Sequence, residues 1–175
     1  YILIYILHIH LLLCGTARQG KAYESFMKGE YEFMQNNFMQ AEKHYTKALS
    51  LSPDSPTILQ SLVDLKSYQG EYAEAIQYLK HIMKLEPYNK NSGLTLYELL
   101  IKEGDSLKAE IVLDSLLVYY PRDYDILFSR ANSQFSNKNW FELLKTYRDI
   151  YKLDSNTDDL LIKIYEIGRA TGNIE

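Results

Sequence analysis

The side chains most often used for catalysis and metal binding are sparse in this chain of 175 residues. Of its four histidines, His8 and His10 lie in an apolar N-terminal run, and His44 and His81 have no partner at metal-ligand spacing. The HExxH, P-loop, GxGxxG and GxSxG motifs are absent from the sequence. We therefore expect no catalysis, no metal and no cofactor, and binding remains as the kind of function to look for.

The composition and net charge of the chain indicate which kinds of partner to expect. Hydrophobic residues make up 46% of the chain and charged residues 24%, which is typical of a folded protein. The formal net charge is −4 and the sequence pI is about 5.6. Because proteins that bind nucleic acids usually carry a basic surface, we expect no nucleic-acid partner.

One segment of the sequence recurs at a spacing of 34 residues. GEYAEAIQYLKHIMKLEP at 70–87 is matched by NNFMQAEKHYTKALSLSP at 36–53 and by GDSLKAEIVLDSLLVYYP at 104–121. A fourth copy, KNWFELLKTYRDIYKLDS, occupies 138–155. A period of this length is typical of a helical repeat array, in which each unit is a pair of helices.

Within each unit, three kinds of residue explain the local structure. A glycine, or Asn36 or Lys138 in its place, ends the first helix, because glycine tolerates the left-handed conformation of a helix end. A small residue (Ala41, Ala75 or Ala109) lets the second helix lie close to the first, and a proline ends the unit. This pattern predicts nine helices between residues 22 and 171, with turns near 36, 70, 104 and 138 and breaks near 53, 87, 121 and 155. We expect a different or more strained turn at Lys138.

The repeat length and the turns NNF, GEY, GDS, KNW and GNI resemble the tetratricopeptide repeat family, as do the alanine five residues beyond the first three turns and the proline that closes each of those three units. The resemblance implies an all-α, right-handed superhelical solenoid of about four and a half repeats in residues 22–175. The repeats would be 22–55, 56–89, 90–123, 124–157 and the partial 158–175. It also implies a non-catalytic scaffold whose first helices line a groove that binds a protein or peptide.

By analogy with that family, first-helix positions give the residues expected to face the groove. The carboxylates Glu30, Asp64, Glu98 and Glu166 occupy four of five equivalent places, and Asn132 occupies the fifth. Acidic and aromatic side chains together favour a peptide with basic and apolar residues. The remaining candidates are Tyr23, Phe26, Phe33, Met34, Gln60, Tyr68, Leu94, Ile101, Phe128 and Phe135. An ordinary solvated helix face is the alternative interpretation.

Residues 1–17 differ from the rest of the chain, because they are mostly apolar and carry no charge. Such a run, followed by small residues, is typical of a secretion signal or an N-terminal membrane segment. Cleavage after Ala17 is one outcome. The other is lipidation of Cys14, the only cysteine, because LLLCG resembles a bacterial lipobox except at Leu13. Residues 18–21 would then be a short linker, and the protein would be exported to the bacterial cell envelope, in the periplasm or at the outer membrane.

Two further hypotheses remain open. The repeats could recruit partners for a larger exported enzyme or sensor, or an uncleaved N-terminal helix could hold a protein that faces the cytoplasm. We also expect the chain to be a fragment of a longer protein. The helix 158–171 is apolar around much of its circumference, so we expect it to expose an apolar patch and to self-associate through it.

Overall fold

The computed structural model describes residues 2–153 and 158–172, and the side chains of 16–153 and 159–172. The described part of the chain forms nine α-helices and contains no strand, which confirms the all-α prediction. The helices are α1 (Ile2–Met34), α2 (Phe38–Leu51), α3 (Pro56–Gln69), α4 (Tyr72–Leu85), α5 (Lys90–Lys102), α6 (Ser106–Tyr119), α7 (Tyr124–Ser136), α8 (Trp140–Leu153) and α9 (Asp158–Thr171).

The turns between paired helices share one backbone conformation. Gly70, Gly104 and Gly172 have φ near +80°, at 78°, 81° and 74°. Asn36 and Lys138 adopt the same left-handed conformation, with φ of 61° and 55°. The turn at Lys138 therefore has the same backbone conformation as the other turns. It is strained, because a residue with a side chain costs about 1–2 kcal/mol in the left-handed region. All four predicted turns are confirmed.

The breaks between repeats also lie where the sequence places them. The loops after α2, α4 and α6 contain Pro53, Pro87 and Pro121, and the first helix of the next repeat begins within a few residues. These helices have side-chain caps: Asn89 accepts a hydrogen bond from the backbone N–H of Ser92 at 3.0 Å, and Asp123 accepts one from Ile126 at 3.3 Å. The fourth predicted break, near residue 155, lies outside the described residues.

The chain divides into two compact units, and each has its own core. Unit 1 contains residues 1–92 and 99–104. One cluster of buried residues joins α2 and α3 and comprises Ala41, Tyr45, Ala48, Ile58, Leu62 and Leu65. Ala41 and Ala75 are fully buried, as expected of residues that let two helices approach closely.

Unit 2 contains residues 93–98 and 105–175. Its main cluster, formed by α7, α8 and α9, comprises Leu127, Ala131, Leu143, Tyr147, Ile150 and Leu160. The second helix of the fourth repeat carries Leu143 where the earlier repeats have alanine. Ala131, a small residue on the first helix, belongs to the same cluster, and both residues are fully buried.

Helix α1 extends upstream of the predicted repeat domain. Residues 18–21, expected to be a linker, are helical and continue α1 without a break. Gly20 alone costs about 1 kcal/mol relative to alanine, and its neighbours favour helix. The side chains of the predicted signal segment up to residue 15, including Cys14, lie outside those described. Within residues 16–153 and 159–172, no helix is both long and apolar enough to span a membrane.

Candidate partner-binding faces of the first helices

In unit 1, α3 presents a polar and aromatic face. Gln60, Asp64 and Tyr68 lie at a spacing of four residues, which places them on one side of the helix. The Gln60 amide donates a hydrogen bond to the Asp64 carboxylate at 2.9 Å. Tyr68 is 68% exposed, although its ring centroid lies 4.8 Å from that of Phe38. An exposed aromatic ring with a carboxylate one turn away can bind apolar and cationic side chains.

Three groove candidates on α1 are held by the protein itself. Phe26 and Phe33 are half-buried and pack against the core of unit 1. The Glu30 carboxylate accepts hydrogen bonds from the Tyr45 hydroxyl at 2.7 Å and from the Ser61 hydroxyl at 2.8 Å. Burial, and then this bond to Glu30, raise the pKa of Tyr45 well above its usual value. The Glu30 carboxylate thereby joins α1, α2 and α3.

The remaining candidates of α1, Tyr23 and Met34, are exposed. They share one side of the helix with Met27 and Tyr31, which are also exposed and which the sequence analysis did not select. The i, i+4 spacing of these side chains on a long helix is the signal that could have identified them.

In unit 2, α7 carries the most aromatic exposed face. Tyr124, Phe128, Asn132 and Phe135 are all exposed and recur every three or four residues. The rings of Tyr124 and Phe128 are stacked at 6.0 Å with an interplanar angle of 8°. Leu127, on another side of the same helix, is buried in the core. Phe135 contacts the ring of Trp140 edge-on, with ring centroids 5.6 Å apart, so unit 2 uses one end of this exposed face for its own packing.

The other groove candidates vary in exposure. Glu98 and Glu166 in unit 2, and Ile101 in unit 1, are exposed, whereas Leu94 is half-buried. Thus the structure buries none of the fifteen candidates fully. Within each unit, some candidates contact the core and the others face solvent.

The structure also contains an ion cluster around a buried lysine, which the sequence analysis missed. The Lys66 ammonium, whose side chain is 5% exposed, lies 2.7 Å from Glu42, 2.6 Å from Glu71 and 3.1 Å from Glu74. Burial alone would lower the pKa of Lys66, but hydrogen bonds to the three carboxylates raise it. The cluster holds α2, α3 and the start of α4 together.

An arginine has the corresponding role in unit 2. The Arg130 guanidinium on α7 pairs with Glu110 at 2.6 Å and with Asp114, both on α6. The Ser133 hydroxyl donates to the same Glu110 carboxylate. Glu110, Arg130 and Ser133 line a cleft of about 470 Å³ between α6 and α8. Because Arg130 is already paired with two carboxylates, the cleft offers no free cation from this residue.

The two histidines with described side chains do not form a metal site. The His81 ring nitrogen Nε2 lies 2.9 Å from the Asp54 carboxylate, in an exposed pair that links α4 to the loop after α2. His44 lies on α2 beside the outer side of α1. Among the described residues, no three histidine, cysteine or acidic side chains are grouped closely enough to hold a metal ion.

Proteins of known structure share the fold of this chain. Residues 68–127 match the family model described as a tetratricopeptide repeat. No curated protein sequence matches the chain significantly. The structure is similar to that of a tetratricopeptide repeat protein from Parabacteroides merdae, with 16% identity and a TM-score of 0.76. That match covers 88% of this chain and spans 61% of the Parabacteroides protein.

Two further solved structures show the same fold. MamA from Desulfovibrio magneticus RS-1 is 13% identical with a TM-score of 0.68, over 87% of this chain and 86% of that one. YrrB, described as a tetratricopeptide repeat protein with an unusual peptide-binding site, is 16% identical with a TM-score of 0.64, over 86% of this chain and 78% of that one. Residues 68–127 thus match the tetratricopeptide repeat family, and these structures show that the chain has the predicted fold of such proteins.

Proposed function

We propose that this protein is a non-catalytic scaffold that binds a protein or peptide partner through the solvent-facing sides of its first helices. In unit 1 these are the face of α3 around Asp64 and Tyr68, and in unit 2 the face of α7 around Phe128 and Phe135. Tetratricopeptide repeats bury each unit against its neighbours and leave such faces available for partners.

The observation that carries the proposal is the exposed aromatic face of α7. Phe128 is 44% exposed and Phe135 is 55% exposed, and the stacked ring of Tyr124 extends the same surface. Large aromatic side chains are enriched among the residues that contribute most to the affinity of protein interfaces. A cluster of them in solvent, on a helix whose other side is well packed, supports a binding surface.

The charges on these faces favour a partner with basic as well as apolar residues. Asp64 is exposed on α3, and Glu98 and Glu166 are exposed in unit 2. A basic side chain could pair with a carboxylate and lie over a neighbouring ring, an arrangement worth about 0.5–1 kcal/mol at an exposed site. YrrB, which has the same fold, is described as having a peptide-binding site, and this supports a peptide as the kind of ligand.

We further propose that the protein is exported to the bacterial cell envelope and anchored there by lipid on Cys14, with 22–175 as the repeat domain. The apolar run 1–13 followed by LLLCG motivates this proposal. Expression in a bacterium fed radioactive palmitate tests it. Label should enter the wild-type protein and be lost from Cys14→Ser. An unlabelled wild-type protein in the membrane fraction would instead indicate an uncleaved N-terminal segment.

Selection from a random peptide library displayed on phage tests the binding proposal. The full chain should enrich peptides that combine arginine or lysine with aromatic or aliphatic residues. Affinity is then measured by fluorescence polarisation with a labelled copy of the enriched peptide. Phe128→Ala should raise the dissociation constant about tenfold or more, because truncating a central aromatic contact costs at least about 1–2 kcal/mol.

A matched control lies in the same repeat. Phe141 is 66% exposed on α8, a second helix, and Phe141→Ala should leave the affinity unchanged. For peptides that bind unit 1, Tyr68→Ala replaces Phe128→Ala as the test. The assignment to first-helix faces would be contradicted if neither Phe128→Ala nor Tyr68→Ala weakened binding, or if Phe141→Ala weakened it as much as they do.

A further inference from the structure

We propose that the ligand of unit 2 is an extended peptide with two basic residues six positions apart, one paired with Glu98 on α5 and the other with Glu166 on α9. This inference rests on the proposed function, because it specifies the peptide that the first-helix faces of unit 2 bind. It follows from which carboxylates are unpaired, how far apart their helices lie and how an extended chain covers that distance.

The carboxylates at the centre of the first-helix faces are unpaired in unit 2. In unit 1, Glu30 accepts hydrogen bonds from two hydroxyls of the protein, and Asp64 accepts one from a side-chain amide. The equivalent residues of unit 2 are Glu98, Asn132 and Glu166. All three are exposed, and no described residue forms a hydrogen bond or an ion pair with their side chains. A neutral amide therefore lies between two carboxylates that are available to a partner.

Helix packing within unit 2 sets the distance between these carboxylates. Helix α5 lies against α7, because the hydroxyl of the buried Tyr97 donates a hydrogen bond to the backbone oxygen of Ser129 at 3.4 Å. Helix α7 in turn shares a buried cluster with α9, through Ala131 and Leu160. Packed helices lie about 8–10 Å apart, so the two steps from α5 to α9 amount to about 16–20 Å.

A peptide that crosses these helices in an extended conformation covers this distance in six residues. It advances about 3.3 Å per residue as a strand and about 3.1 Å in the polyproline II conformation, which gives about 20 Å or about 19 Å. Side chains return to the same side every two residues in a strand and every three residues in polyproline II. Six is the shortest separation that satisfies both conformations. A separation of five residues would turn one of the two basic side chains away from the helices.

Apolar side chains lie one helical turn from the carboxylates. Leu94, Phe128 and Ile162 each precede a residue of the central row by four positions, so they share its side of the helix. Phe128 and Ile162 are 44% and 56% exposed. On α9, Ile162 and Glu166 line an open groove of about 520 Å³ together with Arg169, whose charge repels a basic side chain from its own end of the groove. A lysine or arginine can thus pair with Glu166 and lay its aliphatic stem on Ile162.

Fluorescence polarisation of labelled peptides with the full chain tests the spacing. Each peptide carries two arginines among the same serine and leucine residues, placed three, six or nine positions apart, so net charge and composition are identical. The peptide with six should bind about three- to fivefold more tightly than the other two, because it alone allows both exposed ion pairs. A third arginine midway, opposite Asn132, should improve the affinity by less than about twofold, because no carboxylate lies there.

Neutral variants of the two carboxylates test which residues hold the peptide. Glu98→Gln and Glu166→Gln should each weaken binding of the six-spaced peptide about three- to fivefold, since each removes one ion pair. The double variant should bind all three peptides equally. Asp149→Asn makes the same charge change on α8, a second helix, and should leave the affinity unchanged. Circular dichroism of each variant checks that the helices are intact.

The possible outcomes separate this inference from the proposed function. If Phe128→Ala weakens binding but the three spacings bind equally, the first helices bind a peptide and the inference is wrong. An optimum at three or nine positions, or an unchanged affinity of both Glu98→Gln and Glu166→Gln, would also overturn it. If only the phage-selected peptide binds, the proposed function stands without the inference, and if no peptide binds at all, both are wrong.

Discussion

Replacement of Gly29 by alanine should destabilise the protein, although alanine is the better helix former. Gly29 lies in the C-terminal part of α1, facing the ring of Tyr45 on α2. A Cβ added at Gly29 would lie 2.5 Å from Tyr45 Cδ1 and 2.6 Å from Cε1. Carbon atoms in contact normally lie about 3.5–4.0 Å apart, so the ring would have to move by about 1 Å.

The surroundings of Tyr45 allow little of that movement. Its ring is 1% exposed, and its hydroxyl is fixed by the 2.7 Å hydrogen bond to Glu30. Overpacking of this kind costs about 1–3 kcal/mol, and we expect the upper part of that range. The intrinsic helix preference of alanine offsets about 1 kcal/mol of this cost, so the free energy of unfolding should fall by about 1–2 kcal/mol in total.

The same helix supplies a matched control. Gly20→Ala makes the same chemical change, but no atom lies within 4 Å of the added Cβ. It should therefore stabilise the protein by about 0.5–1 kcal/mol. Because the helix preference is common to both variants, the difference between their free energies of unfolding measures the contact with Tyr45.

Urea unfolding followed by circular dichroism at 222 nm gives both free energies by linear extrapolation. The midpoint should rise for Gly20→Ala and fall for Gly29→Ala. Equal stabilisation by the two substitutions would refute the reasoning, because it would mean that the Tyr45 ring does not pack against the backbone of Gly29.

Three further predictions concern the stability of unit 1. Lys66→Met should lower the free energy of unfolding by about 2–3 kcal/mol, because it leaves three carboxylates without their buried counter-ion. The control Lys145→Met removes an exposed lysine and should cost under about 0.5 kcal/mol. Equal urea midpoints for the two variants would contradict this prediction. The raised pKa of Tyr45 means that its stabilising contribution is present below the pKa of an unfolded tyrosine, near 10, and is lost as pH rises above it. Tyr45→Phe should therefore lower the free energy of unfolding by about 1 kcal/mol near neutral pH, because the hydrogen bond to Glu30 is lost. Between about pH 9 and about pH 11, the free energy of unfolding of this variant should fall less steeply than that of the wild-type protein in urea titrations. Equal slopes for the two proteins would contradict a raised pKa of Tyr45. Ala75→Leu should destabilise by about 1–3 kcal/mol through overpacking at a fully buried site, and an unchanged urea midpoint would show that no tight crossing exists there.

The positions of the helices could be predicted from the sequence, because local chemistry determines them. A left-handed residue must end each first helix, and Gly70 and Gly104 show that glycine provides it. Proline cannot continue a helix, so Pro53 and Pro87 mark the breaks. These constraints act within a few residues of the chain, and the period of 34 residues repeats them.

The contacts between repeats were harder to predict from the sequence. Lys66 recurs at helical spacing with the buried residues Leu59 and Leu62, and a charge on a buried stripe requires a partner. Nothing local identifies that partner as Glu42, because it lies on a different helix, 24 residues away. The same limit applies to Glu30, which was expected to face a ligand and instead accepts hydrogen bonds from Tyr45 and Ser61.

The exposed residues on α1 illustrate a second limit. Met27 and Tyr31 have types that usually belong to a core, and sequence spacing alone does not reveal which apolar side of a helix is covered. In the next repeat, the residue equivalent to Tyr31 is Leu65, which is fully buried. Leu65 packs in the cluster that includes Ala41 and Ala48 of α2, whereas no helix among the described residues covers the corresponding side of α1.

The central claim is that partners bind to the first helices, and a nuclear magnetic resonance titration tests it most directly. The ¹⁵N-labelled chain is titrated with the tightest peptide from the phage selection, and backbone amide shifts are mapped on the structure. We predict the largest shifts on α7 from Phe128 to Phe135, or on α3 from Asp64 to Tyr68. Shifts confined to the second helices, around Phe141 on α8 or Leu107 on α6, would contradict the account.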